Sequence, residues 1–147
     1  MTTRSRCLAL VLLALPLLAC GRPVGNLPFS GEGTKTTTMP LAAGNVAFWT
    51  NLDVAYEGAA TLGYRIELSQ AGRTVAMVDC DLLENLSLKL GWLATNYGAV
   101  HSTVGHAKMQ CVASLPTGGP TVVKATLAFG TRPAKANLKH ADLVLKQ

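Results

Sequence analysis

Three carboxylates close to one of the cysteines are the first candidates for metal chemistry. Asp79 and Asp81 flank Cys80, and Glu84 follows a few positions later. Calcium takes six to eight oxygen ligands, and carboxylates this close in sequence could supply some of them. The Asp-rich loop with its fixed ligand spacing and its glycine is absent, however. The favoured interpretation is a solvated strand end at which Asp81 caps a short helical turn.

Histidines are the second candidates for a metal site. His101 and His106 are separated by an odd number of positions, which places their side chains on opposite faces of a continuous strand. They are therefore not expected to converge on one ion. His140 is remote in sequence and could join them only through the fold. We interpret the three as surface or partly buried residues, and we predict neither a metal site nor a cofactor.

Catalytic machinery is the next class of chemistry to consider. A hydrolase needs a nucleophile, a base and an orienting acid in one pocket. No Gly-x-Ser-x-Gly surrounds a serine, no glycine-rich phosphate loop opens a helix, and no pair of catalytic carboxylates stands out. We predict that the protein is not an enzyme and assign no catalytic residue. A small periplasmic hydrolase or metal-dependent enzyme is the third and least favoured class.

Three aromatic side chains are the candidate binding residues. Trp49 falls on the polar face of an alternating segment, and Trp92 and Tyr97 flank a predicted loop. Exposed tryptophan and tyrosine side chains can stack on sugar rings or anchor a partner protein. In the alternative interpretation they only pack, with Trp49 covering a sheet edge and Trp92 filling the core. A carbohydrate- or ligand-binding module built on these residues is the second functional hypothesis.

The N-terminal segment has the organisation of an export signal. Arg4 and Arg6 form a positive n-region, and Leu8 to Leu18 form an apolar stretch shorter than the ~20 residues that a membrane-spanning helix needs. The stretch ends in Leu17-Leu18-Ala19-Cys20. This sequence resembles the lipobox of bacterial lipoproteins, in which Leu, a small or aliphatic residue, and Ala or Gly precede a cysteine. An ordinary secretory signal that happens to carry a cysteine at its cleavage site is the alternative.

The resemblance implies that Cys20 receives a diacylglyceryl thioether, that residues 1–19 are removed, and that the new amino group is acylated. Two or three acyl chains on one residue hold a protein at a membrane stably, whereas one chain binds reversibly. An Asp after the modified cysteine favours inner-membrane retention in enterobacterial lipoproteins. Gly21 occupies this position, so the resemblance implies a lipid-anchored protein of the cell envelope, delivered to the outer membrane. The membrane is then the expected partner, with an envelope protein or a glycan as further candidates.

Removal of the signal also changes the charge. The 147-residue chain has 13 Lys and Arg against 8 Asp and Glu. Loss of Arg4 and Arg6 leaves 11 against 8, a side-chain charge of +3. A balance this mild concerns solubility and does not indicate a nucleic-acid partner. With 49% hydrophobic and 14% charged residues, the chain is also too apolar to be mainly disordered.

Two cysteines are left once Cys7 departs with the signal and Cys20 is lipidated. They are Cys80 and Cys111, and an even pair in an exported chain favours a disulfide. Neither lies in Cys-x-x-Cys and neither has a ligand at zinc spacing, which argues against a redox pair or a metal site. We predict a structural disulfide across the core.

Residues 20–33 are predicted to be the lipidated cysteine followed by a flexible tether, because the segment is rich in Pro and Gly and lacks periodicity. Residues 34–147 are predicted to be the folded domain. Period-two alternation dominates there and is clearest from Leu62 to Leu68. A short helical turn is expected near Leu82, followed by a strand, and Asn96-Tyr97-Gly98 is typical of a turn.

The predicted fold class is all-β, an antiparallel β-sandwich of about seven or eight short strands held by one disulfide. No amphipathic helix lies between the strands, which argues against a parallel α/β fold. Together with the export signal, this predicts a non-enzymatic envelope lipoprotein that serves as a structural, assembly or accessory binding module.

Overall fold

The computed structural model describes residues 21–147, so Cys20 and the predicted signal peptide lie outside the described residues. Residues 21–147 form nine strands. No helix among these residues is long and apolar enough to cross a membrane. The strands are β1 (Pro23–Leu27), β2 (Gly33–Leu41), β3 (Gly44–Glu57), β4 (Leu62–Gln70), β5 (Arg73–Asp81), β6 (Leu86–Tyr97), β7 (Val100–Leu115), β8 (Gly119–Phe129) and β9 (Lys135–Lys146).

The strands form two antiparallel sheets, with the orders β1-β9-β3-β7-β6 and β2-β8-β4-β5. Four pairs nest inside one another: β1 with β9, β2 with β8, β3 with β7, and β4 with β5. This is the connectivity of a long hairpin rolled into the two four-stranded sheets of a jelly roll. Strand β6 is additional and extends the first sheet beyond β7. The predicted antiparallel β-sandwich is confirmed, with nine strands.

The core lies between the sheets because alternate residues of each strand point inward. In β4 the side chains of Leu62, Tyr64, Ile66 and Leu68 are all buried, as the alternation predicts. The Tyr64 hydroxyl donates a hydrogen bond of 2.7 Å to the Ala141 carbonyl oxygen of the opposite sheet. Burial raises the pKa of the Tyr64 phenol, which keeps it protonated and able to donate.

The predicted disulfide is present between Cys80 and Cys111. Cys80 lies near the end of β5 and Cys111 lies in β7, so the bond joins the two sheets. Their Cα atoms are 5.3 Å apart, an ordinary separation for a disulfide. Residues 82–85 then carry the chain from the four-stranded sheet to the five-stranded sheet, close to the bond.

The predicted flexible tether is wrong for most of its length. Strand β1 pairs with β9, and the side chains of Leu27 and Phe29 are buried in the core. Arg22 and Gln147 close this pairing, since each backbone N–H donates to the carbonyl of the other, at 2.7 and 3.1 Å. Local composition indicated a linker because β1 is short and contains Pro and Gly. Its pairing partner, however, is the last strand of the chain.

The predicted helical turn near Leu82 is also wrong. The Asp81 carboxylate accepts hydrogen bonds from the backbone N–H groups of Leu83 and Glu84, both at 2.7 Å, as a helix cap would. The chain only bends there, and Leu82 is buried. The predicted strand that follows is confirmed as β6.

The five-stranded sheet has two distinct ends. At the N-terminal end, Arg22 and Gln147 lie beside the start of β3 and the end of β7, where Gly44 pairs with Leu115. At the hairpin end, the turn between β6 and β7 lies beside Glu57, the last residue of β3. The 14 residues of β3 separate the two ends by about 45 Å.

Candidate functional site

The carboxylates near the disulfide are used in structural contacts. The Arg65 guanidinium donates to both carboxylate oxygens of Asp79, at 2.9 and 3.3 Å, and these bonds lower the pKa of Asp79. The Asp81 carboxylate accepts hydrogen bonds from the backbone N–H groups of residues 83 and 84. Within residues 21–147, no three His, Cys, Asp or Glu side chains are grouped so that they could hold a metal ion.

The depression above the Arg65–Asp79 pair measures about 970 Å³ and is wide open to solvent. Gly63, Arg65, Asp79 and the disulfide line its floor. Its charged groups are already engaged, because Arg65 pairs with Asp79 and the Asp81 carboxylate accepts from the backbone N–H groups of residues 83 and 84. The arrangement therefore offers a ligand few unused charged groups.

The two neighbouring histidines lie on opposite faces of β7, as their spacing predicts. His101 stacks on Tyr56, with ring centroids 5.1 Å apart, and its Nδ1 is 2.7 Å from the Asn96 side-chain oxygen. His106 lies on the outer face, stacked on Trp49 at 4.8 Å and hydrogen-bonded to Asn51. Burial, and then the nearby Lys146 ammonium, lower the pKa of His106.

The structure corrects the expectation that Trp49 is an exposed stacking surface. Trp49 does lie on the outer face of the five-stranded sheet, but only 3% of it is exposed. The His106 ring stacks on the indole, and the Lys146 ammonium lies 3.7 Å from the ring centroid. His106 lies in β7 and Lys146 lies in β9, the two strands that flank β3. Their side chains cover Trp49, although the alternation within β3 places Trp49 on the outer face of the sheet.

Trp92 and Tyr97 occupy different surroundings. Trp92 faces inward and packs, half-buried, against the core, with the Lys89 ammonium 5.8 Å from its ring centroid. Tyr97 ends β6 at the hairpin end and is 89% exposed. Of the three predicted aromatic binding residues, Tyr97 alone offers a free ring. They do not form the shared platform that glycan stacking would need.

A surface that the sequence did not single out lies on the outer side of the β6–β7 pair. We call it the hairpin face, and its six members are large exposed apolar side chains: Leu88, Leu90, Leu93 and Tyr97 of β6, with Val100 and Val104 of β7. Leu93 pairs directly with Val104, and Tyr97 pairs with Val100. Leu93 is the most exposed of the aliphatic members, at 63%. Six of the ten exposed large apolar residues in the described part of the chain belong to this face.

The charge pattern makes the hairpin face more distinctive. Residues 90–105 contain no Asp, Glu, Lys or Arg. The outer face of the four-stranded sheet is different, because it carries the Arg65–Asp79 pair and Thr34 hydrogen-bonded to Thr126 at 2.8 Å. The alternation from Leu86 to Trp92 was visible in the sequence, but it also fits a strand that faces the core. Only the position of β6 at the sheet margin shows that its leucines are exposed.

These features define the class of the protein as a disulfide-bonded jelly-roll domain with an apolar surface on its β6–β7 hairpin. No protein-family model and no curated protein sequence matches the chain. A chain in the structure of infectious bursal disease virus Gt strain is similar to it, with 12% sequence identity and a TM-score of 0.36. The similarity covers 86% of this chain and 30% of the viral one. A similarity this weak carries no argument about function.

Proposed function

We propose that the protein is a lipid-anchored lipoprotein of the cell envelope, delivered to the outer membrane, whose jelly roll is a non-enzymatic accessory or assembly module. The Leu17-Leu18-Ala19-Cys20 sequence, after a positive n-region and an apolar stretch, is the observation that carries the proposal. Acylation of Cys20 would hold the mature chain at a membrane without a spanning segment.

The start of the fold supports this arrangement. The hydrogen bonds between Arg22 and Gln147 begin the sheet two residues after Cys20, so the described fold starts close to the proposed anchor. Two residues span at most ~7 Å. The folded body would therefore sit directly at the bilayer surface, and not on the long tether that the composition suggested.

A non-enzymatic role is supported by the use of the polar side chains. Three of the groups that could do chemistry are paired within the fold: Asp79 with Arg65, His101 with Asn96, and His106 with Asn51. The hairpin face, in contrast, is apolar and has no partner within the described chain. Contiguous exposed apolar surface of this kind marks contact with a protein or a membrane.

Metabolic labelling with radioactive palmitate in a bacterial host tests the anchor. The native chain should be labelled and recovered with the membranes, and Cys20→Ser should lose the label and leave them. Cys7→Ser is the matched control, because Cys7 lies within the predicted signal and should be dispensable for labelling. A native chain without label, or a Cys20→Ser chain that keeps it, would refute the assignment.

A further inference from the structure

We propose that the outer face of the five-stranded sheet lies against the same bilayer that holds Cys20, with the hairpin face in contact with the boundary between headgroups and acyl chains. This inference rests on the proposed lipid anchor. It gives the domain an orientation and makes the lipid surface, at a second point of contact, the ligand of the hairpin face.

The first argument is the position of the anchor. Residue 21 follows Cys20 directly, and Arg22 is hydrogen-bonded to Gln147 at the N-terminal end of the same sheet. The hairpin end is about 45 Å along the strands from there, and β6 is about 19 Å across the sheet from β1. A domain standing on its N-terminal end would hold Tyr97 far from the lipid, whereas a domain lying on this face brings anchor and hairpin to one plane.

The second argument is the charge between these two points. Lys108 and Lys146 lie on the outer face near Trp49, and within residues 21–147 neither has a carboxylate at salt-bridge distance. Two carboxylates of this face, Asp53 and Glu57, are neutralised by Lys139 at 3.2 Å and Lys135 at 3.0 Å.

The remaining carboxylate of the face, Asp142, is half-buried. Lysines at headgroup level together with exposed leucine and tyrosine are the combination that binds membrane interfaces. The face therefore has the chemistry of a lipid contact as well as the position for one.

The third argument concerns the competing occupant, a second copy that would add its own strand to β6. The edge of β6 is interrupted between Leu90 and Leu93 by a bulge in which Gly91 has a φ of +57°. Lys89 precedes that bulge. A bulge and an edge lysine are devices that prevent strand addition. They leave the apolar side chains of the face free while discouraging pairing through the backbone.

A low intrinsic affinity of the hairpin face for lipid is sufficient for such a contact. The acyl chains already hold the domain at the membrane, so the translational freedom that free association would cost is lost beforehand. Insertion of a few side chains to the depth of the headgroup region then needs only a small favourable free energy to dominate the orientation.

Fluorescence quenching by lipids with brominated acyl chains tests the orientation, using the acylated full chain reconstituted in liposomes. Leu93→Trp places a probe on the hairpin face. Thr36→Trp is the matched control, because Thr36 is an exposed strand position on the outer face of the other sheet. Trp49 and Trp92 contribute the same background to both variants. We expect roughly twofold stronger quenching and a blue-shifted emission for Leu93→Trp, as for side chains at the acyl boundary.

The outcomes separate the two proposals. Mass spectrometry of the N-terminal peptide reports acylation of Cys20 independently, and a chain without acyl groups would refute the anchor itself. Equal quenching of the two variants in an acylated chain would overturn the orientation and leave the anchor intact. A Leu93→Trp emission that is blue-shifted but not quenched would show that a protein, such as a second copy, covers the face, and would likewise overturn the lipid contact.

Discussion

The disulfide between Cys80 and Cys111 should be a major contributor to the free energy of unfolding. The two cysteines are 31 positions apart, and a crosslink of this span restricts the unfolded chain by about 3.7 kcal/mol at 25 °C. Replacing both residues by alanine also removes the buried Cys80 sulfur, which adds roughly 1 kcal/mol. We therefore expect the Cys80→Ala/Cys111→Ala variant to lose about 5 kcal/mol, equivalent to a fall of roughly 15–20 °C in Tm.

Urea unfolding of the mature chain, followed by circular dichroism, measures this loss. Reductant should destabilise the native chain by most of that amount and should leave the double variant unchanged, which makes the variant its own control for side effects of the reductant. A loss below about 1 kcal/mol would refute the entropic reasoning. Labelling of both thiols in the unreduced native chain would contradict the bond itself.

Three smaller predictions concern single side chains. Tyr64→Phe removes the hydroxyl donor to Ala141 and should cost about 1–2 kcal/mol in urea unfolding; an unchanged midpoint would contradict it. A Cβ at Gly105 would lie 2.7 Å from the Trp92 Cα, so Gly105→Ala should shift Trp92 emission and cost about 1–3 kcal/mol; an unaltered spectrum would show that the strands have room. The pKa of His106 is lowered in the fold, so the unfolded chain takes up its proton first, and the stability linked to this group is present above pH ~6.5 and is lost as the pH falls through the folded-state pKa. A ring titration by NMR at or above the ordinary histidine value would contradict that direction.

The sequence predicted those parts of the fold in which a local pattern determines the structure. In β4, alternation alone identified four buried side chains. The even pair Cys80 and Cys111 in the predicted folded domain identified the disulfide. Strand β1 was missed because a short Pro- and Gly-containing segment is ordered by pairing with β9, which its own residues do not reveal. Burial of Trp49 was missed for the same reason, since His106 and Lys146 reach it from other strands.

Strand β6 shows how the surface of this protein differs from its core. The jelly roll is complete without β6, because the four nested strand pairs already form both sheets. Most of its residues are exposed, and its main contributions to packing are the half-buried Leu86 and Trp92. An added edge strand that displays leucines to water is a liability for a free soluble domain. In the arrangement proposed above, with the domain held at a bilayer by Cys20, the same leucines would be covered by lipid, and the proposal would then account for a strand that the fold does not require.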